Sequence, residues 1–370
     1  MSIAEFHRRL EHNGDLRDLN CNGLRFEGAR WAGLVFENIC FSDACLPGAE
    51  LADCVFLRCQ LDNAHLDAAN LSRARFIDCS LTGANLTDCH LDGAIFHNSR
   101  LEHCRFDKAC LRECRFNEGS LEHASFVEAR LDQTLFGAQL GLADFSDAQI
   151  QRVVFQELDL RSLRLARARL HASVFLACDL SGLTLRHQDL EGCQFVDCRL
   201  QGVDFSASRL VQCNFTAANL QDSLLNEVQA TQAIFLRADL ESASCRRADF
   251  TSALWVSAKL VAVDFSGSVL DQAIFQHADA PRARFAQCSL RYADFSRAHL
   301  TEADFHDAAF QQSRFHGART DDVRWDSQTG VLLEDPELAA AENWSAARKQ
   351  QGQAFRQALQ QNPYGSGETP

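Results

Sequence analysis

From Phe26 to Trp325 a large apolar residue stands at nearly every fifth position of the chain. A helix repeats its buried face every 3.6 residues and a half-buried strand every 2, so a period of five belongs to neither. It describes a chain that winds, with one short segment per side and a turn at each corner. A small or medium apolar residue sits two positions before each centre, as in Ala69-Asn70-Leu71, Ala143-Asp144-Phe145 and Ala303-Asp304-Phe305. A second period tests the number of sides. Phe36, Phe56, Phe76, Phe96, Phe116, Phe136, Phe155, Phe175, Phe195, Phe215, Phe235, Trp255, Phe275, Phe295 and Phe315 are all aromatic, spaced by 20 except for 19 between Phe136 and Phe155. Four pentapeptides therefore make one coil, and one corner near Gly137-Ala138-Gln139-Leu140-Gly141 is a residue short, with glycine to absorb it.

These residues resemble the pentapeptide-repeat family, whose motif is A-(D/N)-L-x-x. The resemblance covers about 300 of 370 residues. It implies an all-β solenoid: a right-handed, quadrilateral parallel β-helix of about 15 coils. The right-handed winding also follows the rule for parallel crossovers. At the spacing of neighbouring strands, 15 coils make a rod about 70 Å long. Each coil offers its backbone only to its neighbours, so both ends need covers. The chain divides accordingly into a helical N-terminal cap (1–15), the repeat (16–326) and a C-terminal linker, helix and tail (327–370). Ile3, Phe6 and Leu10 fall at helical spacing. Residues 336–361 read as a helix opening on Pro336 and stopping before Asn362-Pro363, with Leu338, Trp344, Phe355 and Leu359 on one stripe. Residues 364–370 are expected to be disordered.

No stretch reaches the roughly 18 apolar residues of a membrane span, and the N-terminus has no apolar secretory core. A cytoplasmic protein is expected. The sixteen cysteines fit this placement, because eleven of them occupy the small inward position two before a centre, where they act as a slightly larger alanine. Cys59/Cys79, Cys178/Cys198 and Cys193/Cys213 stack on neighbouring coils with parallel side chains, and free buried thiols are expected at these positions in place of disulfides or metal ligands.

The chemistry of catalysis is missing from the sequence: it contains no H-E-x-x-H, G-x-S-x-G, phosphate loop or C-x-x-C. The 13 histidines are scattered, and carboxylates lie close together because the repeat itself puts polar residues outward. The N-x-[ST] matches at Asn70, Asn85 and Asn214 are by-products of the repeat. A filled coil leaves no interior substrate pocket. The protein is expected to be no enzyme and to bind no cofactor and no metal, and function is expected on the outer faces.

Those faces differ. On the side of the aromatic column, 15 of the 30 positions flanking the centres are Val, Ile or Leu, against five on the other three sides together. Among them Val154, Val174, Leu176, Val196, Ile234, Leu236, Leu254, Val256 and Ile274 form the candidate protein-interaction face. One reading is that β-branched residues suit the straightest side. The other is a docking surface of about 700 Å², close to one partner's share of a standard interface. A homodimer is the expected occupant. The alternative face is acidic: the side of the leucine column carries Asp62, Glu102, Glu122, Asp159, Asp179, Asp239, Glu241 and Asp279.

Two functions follow from the resemblance. Some pentapeptide-repeat proteins imitate DNA and modulate type II topoisomerases such as gyrase. Others are associated with bacterial secretion machinery or exported without a signal, as adaptors. Residues 25–326 carry a net charge of −11, whereas a 70 Å rod copying duplex DNA would present roughly 40 negative charges. Arg100, Arg161, Arg199, Lys259 and Arg319 also interrupt the acidic side. The reading is therefore a non-enzymatic scaffold or adaptor with a protein partner and no direct nucleic-acid contact, with topoisomerase modulation as the alternative.

Overall fold

The computed structural model describes residues 2–12 and 16–361. They form a parallel β-solenoid of four sides with a helix at each end. On the aromatic side, strands from Val35–Glu37 to Gln194–Val196 pair in a nine-stranded parallel sheet, in the register Phe36↔Phe56, Phe56↔Phe76 and onward to Phe175↔Phe195. Beyond Val196 that side continues as single parallel bridges 20 residues apart, such as Ile234↔Leu254 and Leu254↔Ile274.

The corners explain the pentapeptide. Two residues after nearly every centre the backbone is left-handed, as at Asp43 (φ 56°), Arg73 (φ 58°) and Gln232 (φ 60°), the exceptions including Ala138, Leu142 and Ser162 around the short corner. This is the third position of a type II turn, closed at 41–44 by the Ala44 N–H donating to the Phe41 carbonyl at 3.0 Å. A non-glycine residue there costs about 1–2 kcal/mol. The cost is offset by ladder bonds to the next coil, such as Asp43 N–H to Asp62 O at 2.9 Å. The Asp or Asn before the centre also has a backbone task. Its side chain accepts the N–H of the residue after the centre, as in Ser72 to Asn70 Oδ1 at 3.1 Å and Ser146 to Asp144 Oδ1 at 2.9 Å.

Inside, the aromatic column is one continuous stack, with ring centroids 4.7 Å apart for Phe56–Phe76 and 4.9 Å for Phe175–Phe195. The shortened corner keeps that stack in place: Phe155 pairs with Phe136, and Ser120 bridges Gln139 at a spacing of 19. All sixteen cysteines are free. Most of the buried ones at the small inward position donate to a carbonyl of the preceding coil that keeps a free lone pair, as in Cys54 Sγ–H to Trp31 O and Cys104 Sγ–H to Leu81 O, both at 2.9 Å. Ser208 and Ser268 make the same contact, to the Leu185 and Cys245 carbonyls at 2.6 Å each.

At the N-terminal end, α1 (Ile3–His12) drops Phe6 onto Phe26 and Trp31, with ring centroids 5.0 and 4.9 Å away. Phe6 is fully buried, Leu10 half-buried and Ile3 exposed, so one residue of the expected stripe carries most of the cover. At the C-terminal end, Trp325 stacks on Phe305 at 4.9 Å, and Val331–Leu332 adds a last short strand beside Ser313–Arg314. The second helix, α2 (Pro336–Gln361), starts on an Asp335 cap whose Oδ1 accepts the N–H groups of Glu337 and Leu338, both at 3.1 Å. Among its described side chains, those of the first turns meet the rod, through Leu338, Ala339 and Glu342, which meets Arg297 and His316. Trp344 is 65% exposed, against the expected stripe, and its indole rests under Arg348 of its own helix at 5.0 Å. The side chains of Phe355 and Leu359, and the tail 364–370, lie outside the described residues.

Candidate interaction faces

The outward residues of the aromatic side stand in ladders 20 residues apart, where each is half-covered by the one above and below. Val154, Val174, Val196, Ile234, Leu236, Leu254, Val256 and Ile274 are half-buried in this way, and Leu176 is exposed. All nine residues of the expected face thus share one side of the rod. The structure divides them into two groups. Val154, Val174, Leu176 and Val196 lie within three-residue strands of the nine-stranded sheet. Ile234, Leu236, Leu254, Val256 and Ile274 lie where the side has closed turns, with Ala238 N–H to Phe235 O at 3.2 Å and Ala258 N–H to Trp255 O at 3.0 Å. Strand propensity accounts for the first group. It does not account for the second, whose backbone matches that of the three polar sides.

The second group surrounds the one large exception in the aromatic stack. Trp255 is fully buried, its ring 4.0 Å from Phe235 and 5.8 Å from Phe275, and its indole N–H has no partner among the described residues. Among the described residues of α2, none lies buried against this patch: every described side chain from Asn343 to Ala354 is exposed.

The acidic side is interlocked with bases from neighbouring coils. Asp159 and Asp179 share Arg161, at 2.6 and 3.8 Å, and Asp179 also faces Arg199 at 3.8 Å. Arg161 holds the Asp159 carboxyl down at about 2. Asp239 and Glu241 share Lys259 at 3.2 and 2.5 Å, and Asp279 meets His299 at 2.8 Å. Asp62 accepts from Ser80 and from the Thr82 N–H at 2.5 and 2.9 Å, Glu102 accepts from Thr82 at 3.2 Å, and Glu122 lies 3.9 Å from His123. Elsewhere the same 20-residue pairing recurs, as in Asp53–Arg73, Asp132–Arg152 and Asp147–Arg167, all at 2.6 Å. An acid on one coil is answered by a base on the next, which breaks up a uniform negative field.

One cluster escaped the sequence reading although its spacing of 20 was available. His306 Nδ1 lies 2.7 Å from Asp326 and its Nε2 3.5 Å from Asp307, so their ligand atoms fall within 4.8 Å of one another. Carboxylates face both ring nitrogens and push the His306 pKa up. That arrangement suits an exposed imidazolium between two carboxylates; a cation would have to displace it.

The family model described as pentapeptide repeat region matches residues 29–106, 49–126 and 168–245, and that described as pentapeptide repeats (8 copies) matches 282–317. Among solved structures, the chain is similar to HetL, a pentapeptide repeat protein involved in heterocyst differentiation regulation from the cyanobacterium Nostoc. The two are 21% identical, the match covers 76% of this chain and 96% of that one, and the TM-score is 0.23. It is also similar to QnrB1, a plasmid-mediated fluoroquinolone resistance protein, at 17% identity over 52% of this chain and 96% of that one, with a TM-score of 0.28. A comparison with curated proteins finds no match.

Proposed function

The chain belongs to the pentapeptide-repeat family, and on that premise we propose that it is a non-enzymatic protein-interaction scaffold whose docking surface is the aromatic side of the rod. The observation that carries this reading is the patch of Ile234, Leu236, Leu254, Val256 and Ile274, which the local backbone does not require and no described residue of α2 covers. The occupant is a second copy, docked about a two-fold axis, since a self-complementary face is the commonest route to a closed assembly. The free cysteines fit action in a reducing cytoplasm. An adaptor role beside secretion machinery rests on family resemblance alone.

Light scattering tests the reading: the wild type is a dimer, and Leu236→Glu with Val256→Lys gives a folded monomer. A gyrase supercoiling assay tests the alternative, DNA imitation. The interlocked acids and bases of the leucine side weigh against that alternative, so the wild type leaves supercoiling unchanged.

A further inference from the structure

Among the described residues the ladder between coils lapses beside the short corner, where neither Leu140 N–H to Asp159 O nor the bridge Gln139↔Asp159 forms, and over a wider gap one coil further on. Phe145 N–H bonds Arg164 O at 2.8 Å, and two coils later Leu185 N–H bonds Asp204 O at 2.7 Å. Between these coils the equivalent bonds, Leu165 N–H to Thr184 O and Leu170 N–H to Asp189 O, are absent among the described residues. The bridges Arg164↔Thr184 and Arg169↔Asp189 are absent too, whereas Asp144↔Arg164 and Thr184↔Asp204 form. The two coils rejoin on either side, at Leu160 N–H to Asp179 O (2.7 Å) and Ala172 N–H to Glu191 O (3.0 Å). The rod thus has a slit along a side and a corner, with backbone N–H groups unpaired on its lip.

The slit opens into a groove of about 700 Å³ lined by Arg167, Arg169, His171, Arg186 and His187. Charge is concentrated there against the trend of the whole chain. Residues 160–178 contain four arginines, one histidine and no acid, in a protein of net charge −14, and of these Arg167, Arg169 and His171 line the groove. Arg167 is held by Asp147 at 2.6 Å and Arg186 lies 3.7 Å from Asp204, while Arg169 has no partner among the described residues. The one carboxylate on the rim is Asp189. Unpaired backbone donors cost free energy unless something accepts from them. Water can do so, but it does not call for guanidinium groups converging on the same opening. Backbone N–H groups and arginine forks together match the several acceptor oxygens of a phosphate, and a dianion balances more of this charge than a carboxylate does.

We propose that this slit is a binding site for a phosphate monoester, with the Leu170 N–H group and Arg169 and Arg186 as its donors. The groove falls within the size range of small-molecule sites, so it admits a phosphate together with its organic body. The site is independent of the docking face.

The test is calorimetric titration of the full-length protein at constant ionic strength with inorganic phosphate, O-phosphoserine and a phosphoserine peptide. The expected result is saturable one-to-one binding of at least one of these. Arg169→Gln and Arg186→Gln each weaken it by about tenfold or more, as befits loss of a charge-assisted donor, without shifting the thermal midpoint. Arg169→Lys retains part of the affinity, and Arg100→Gln, on another side, retains all of it. Tightest binding of the peptide identifies a protein source; tightest binding of the free compounds identifies a metabolite. No saturable heat up to about 10 mM ligand, a range that covers even the weakest specific sites, overturns the proposal. So does binding that both Arg169→Gln and Arg186→Gln leave intact.

Discussion

Phe155 stacks on Phe136 with ring centroids 5.3 Å apart and planes within 6°, although 19 residues separate them where 20 separate every other neighbouring pair of the column. The missing residue is taken from the corner after Phe136. Gly137 donates its N–H to Phe116 O at 2.8 Å, Ala138 turns inward and is buried, and Leu140 resumes the next column. Stacking, and the ladder to the preceding coil, are thus kept while one corner is cut.

Because only the corner changes, inserting one alanine after Ala138 should restore the common spacing and leave the fold intact. Far-UV circular dichroism and the thermal midpoint check this. Loss of β-signal would mean that the short corner is required.

The stack itself is the main core. Phe195 lies between Phe175 and Phe215, at 4.9 and 5.1 Å, with Phe205 edge-on at 5.9 Å. Phe195→Ala should cost about 3–5 kcal/mol in chemical denaturation, as a cavity in a filled column.

Two glycines at left-handed corners should respond differently to a methyl group. At Gly119 (φ +84°) a Cβ would lie 2.1 Å from the Ser99 carbonyl oxygen, which is backbone and cannot yield. At Gly202 (φ +64°) nothing lies within 4 Å. Gly202→Ala should cost about 1 kcal/mol, the ordinary left-handed penalty. Gly119→Ala should cost clearly more, read from the same denaturation curves.

The cysteines divide by burial. Cys40, Cys45 and Cys110 are half-exposed and should react with Ellman's reagent in the folded protein; the thirteen buried thiols should react only on unfolding. Burial pushes the Cys193, Cys198 and Cys288 thiols up to about 12 from 9.0. A pKa raised by folding gives stability that is complete below the unfolded value and lost as pH rises through the folded one. The denaturation midpoint should therefore fall from about pH 9 upward and continue falling to about pH 12.

Fold and site were not equally legible in the sequence. The period of five, the aromatic column and the short corner are side-chain patterns, and Phe36 to Phe315 carry them openly. The nine apolar residues could likewise be assigned to one face by counting. The split at Val196 could not, because Val174 and Ile234 hold the same place in the motif and differ only in how the following corner closes. The slit between the Leu165 and Leu185 coils was hidden for the same reason: both keep their inward leucines, and what is missing is backbone pairing. Its trace in the sequence is the acid-free run from Leu160 to Cys178. The second helix was legible in its limits, Pro336 to Gln361, but not in its packing, since a stripe containing Trp344 does not say what it rests on.

The scaffold reading stands or falls on where the rod makes its contact. Sedimentation equilibrium of the wild type and two double variants locates it. The account predicts a wild-type dimer, dissociation by Leu236→Glu with Val256→Lys, and a retained dimer in Val154→Glu with Val174→Lys, since those valines serve the strands of the sheet. A wild type that sediments as a monomer, or a dimer that the first pair leaves intact, would contradict it.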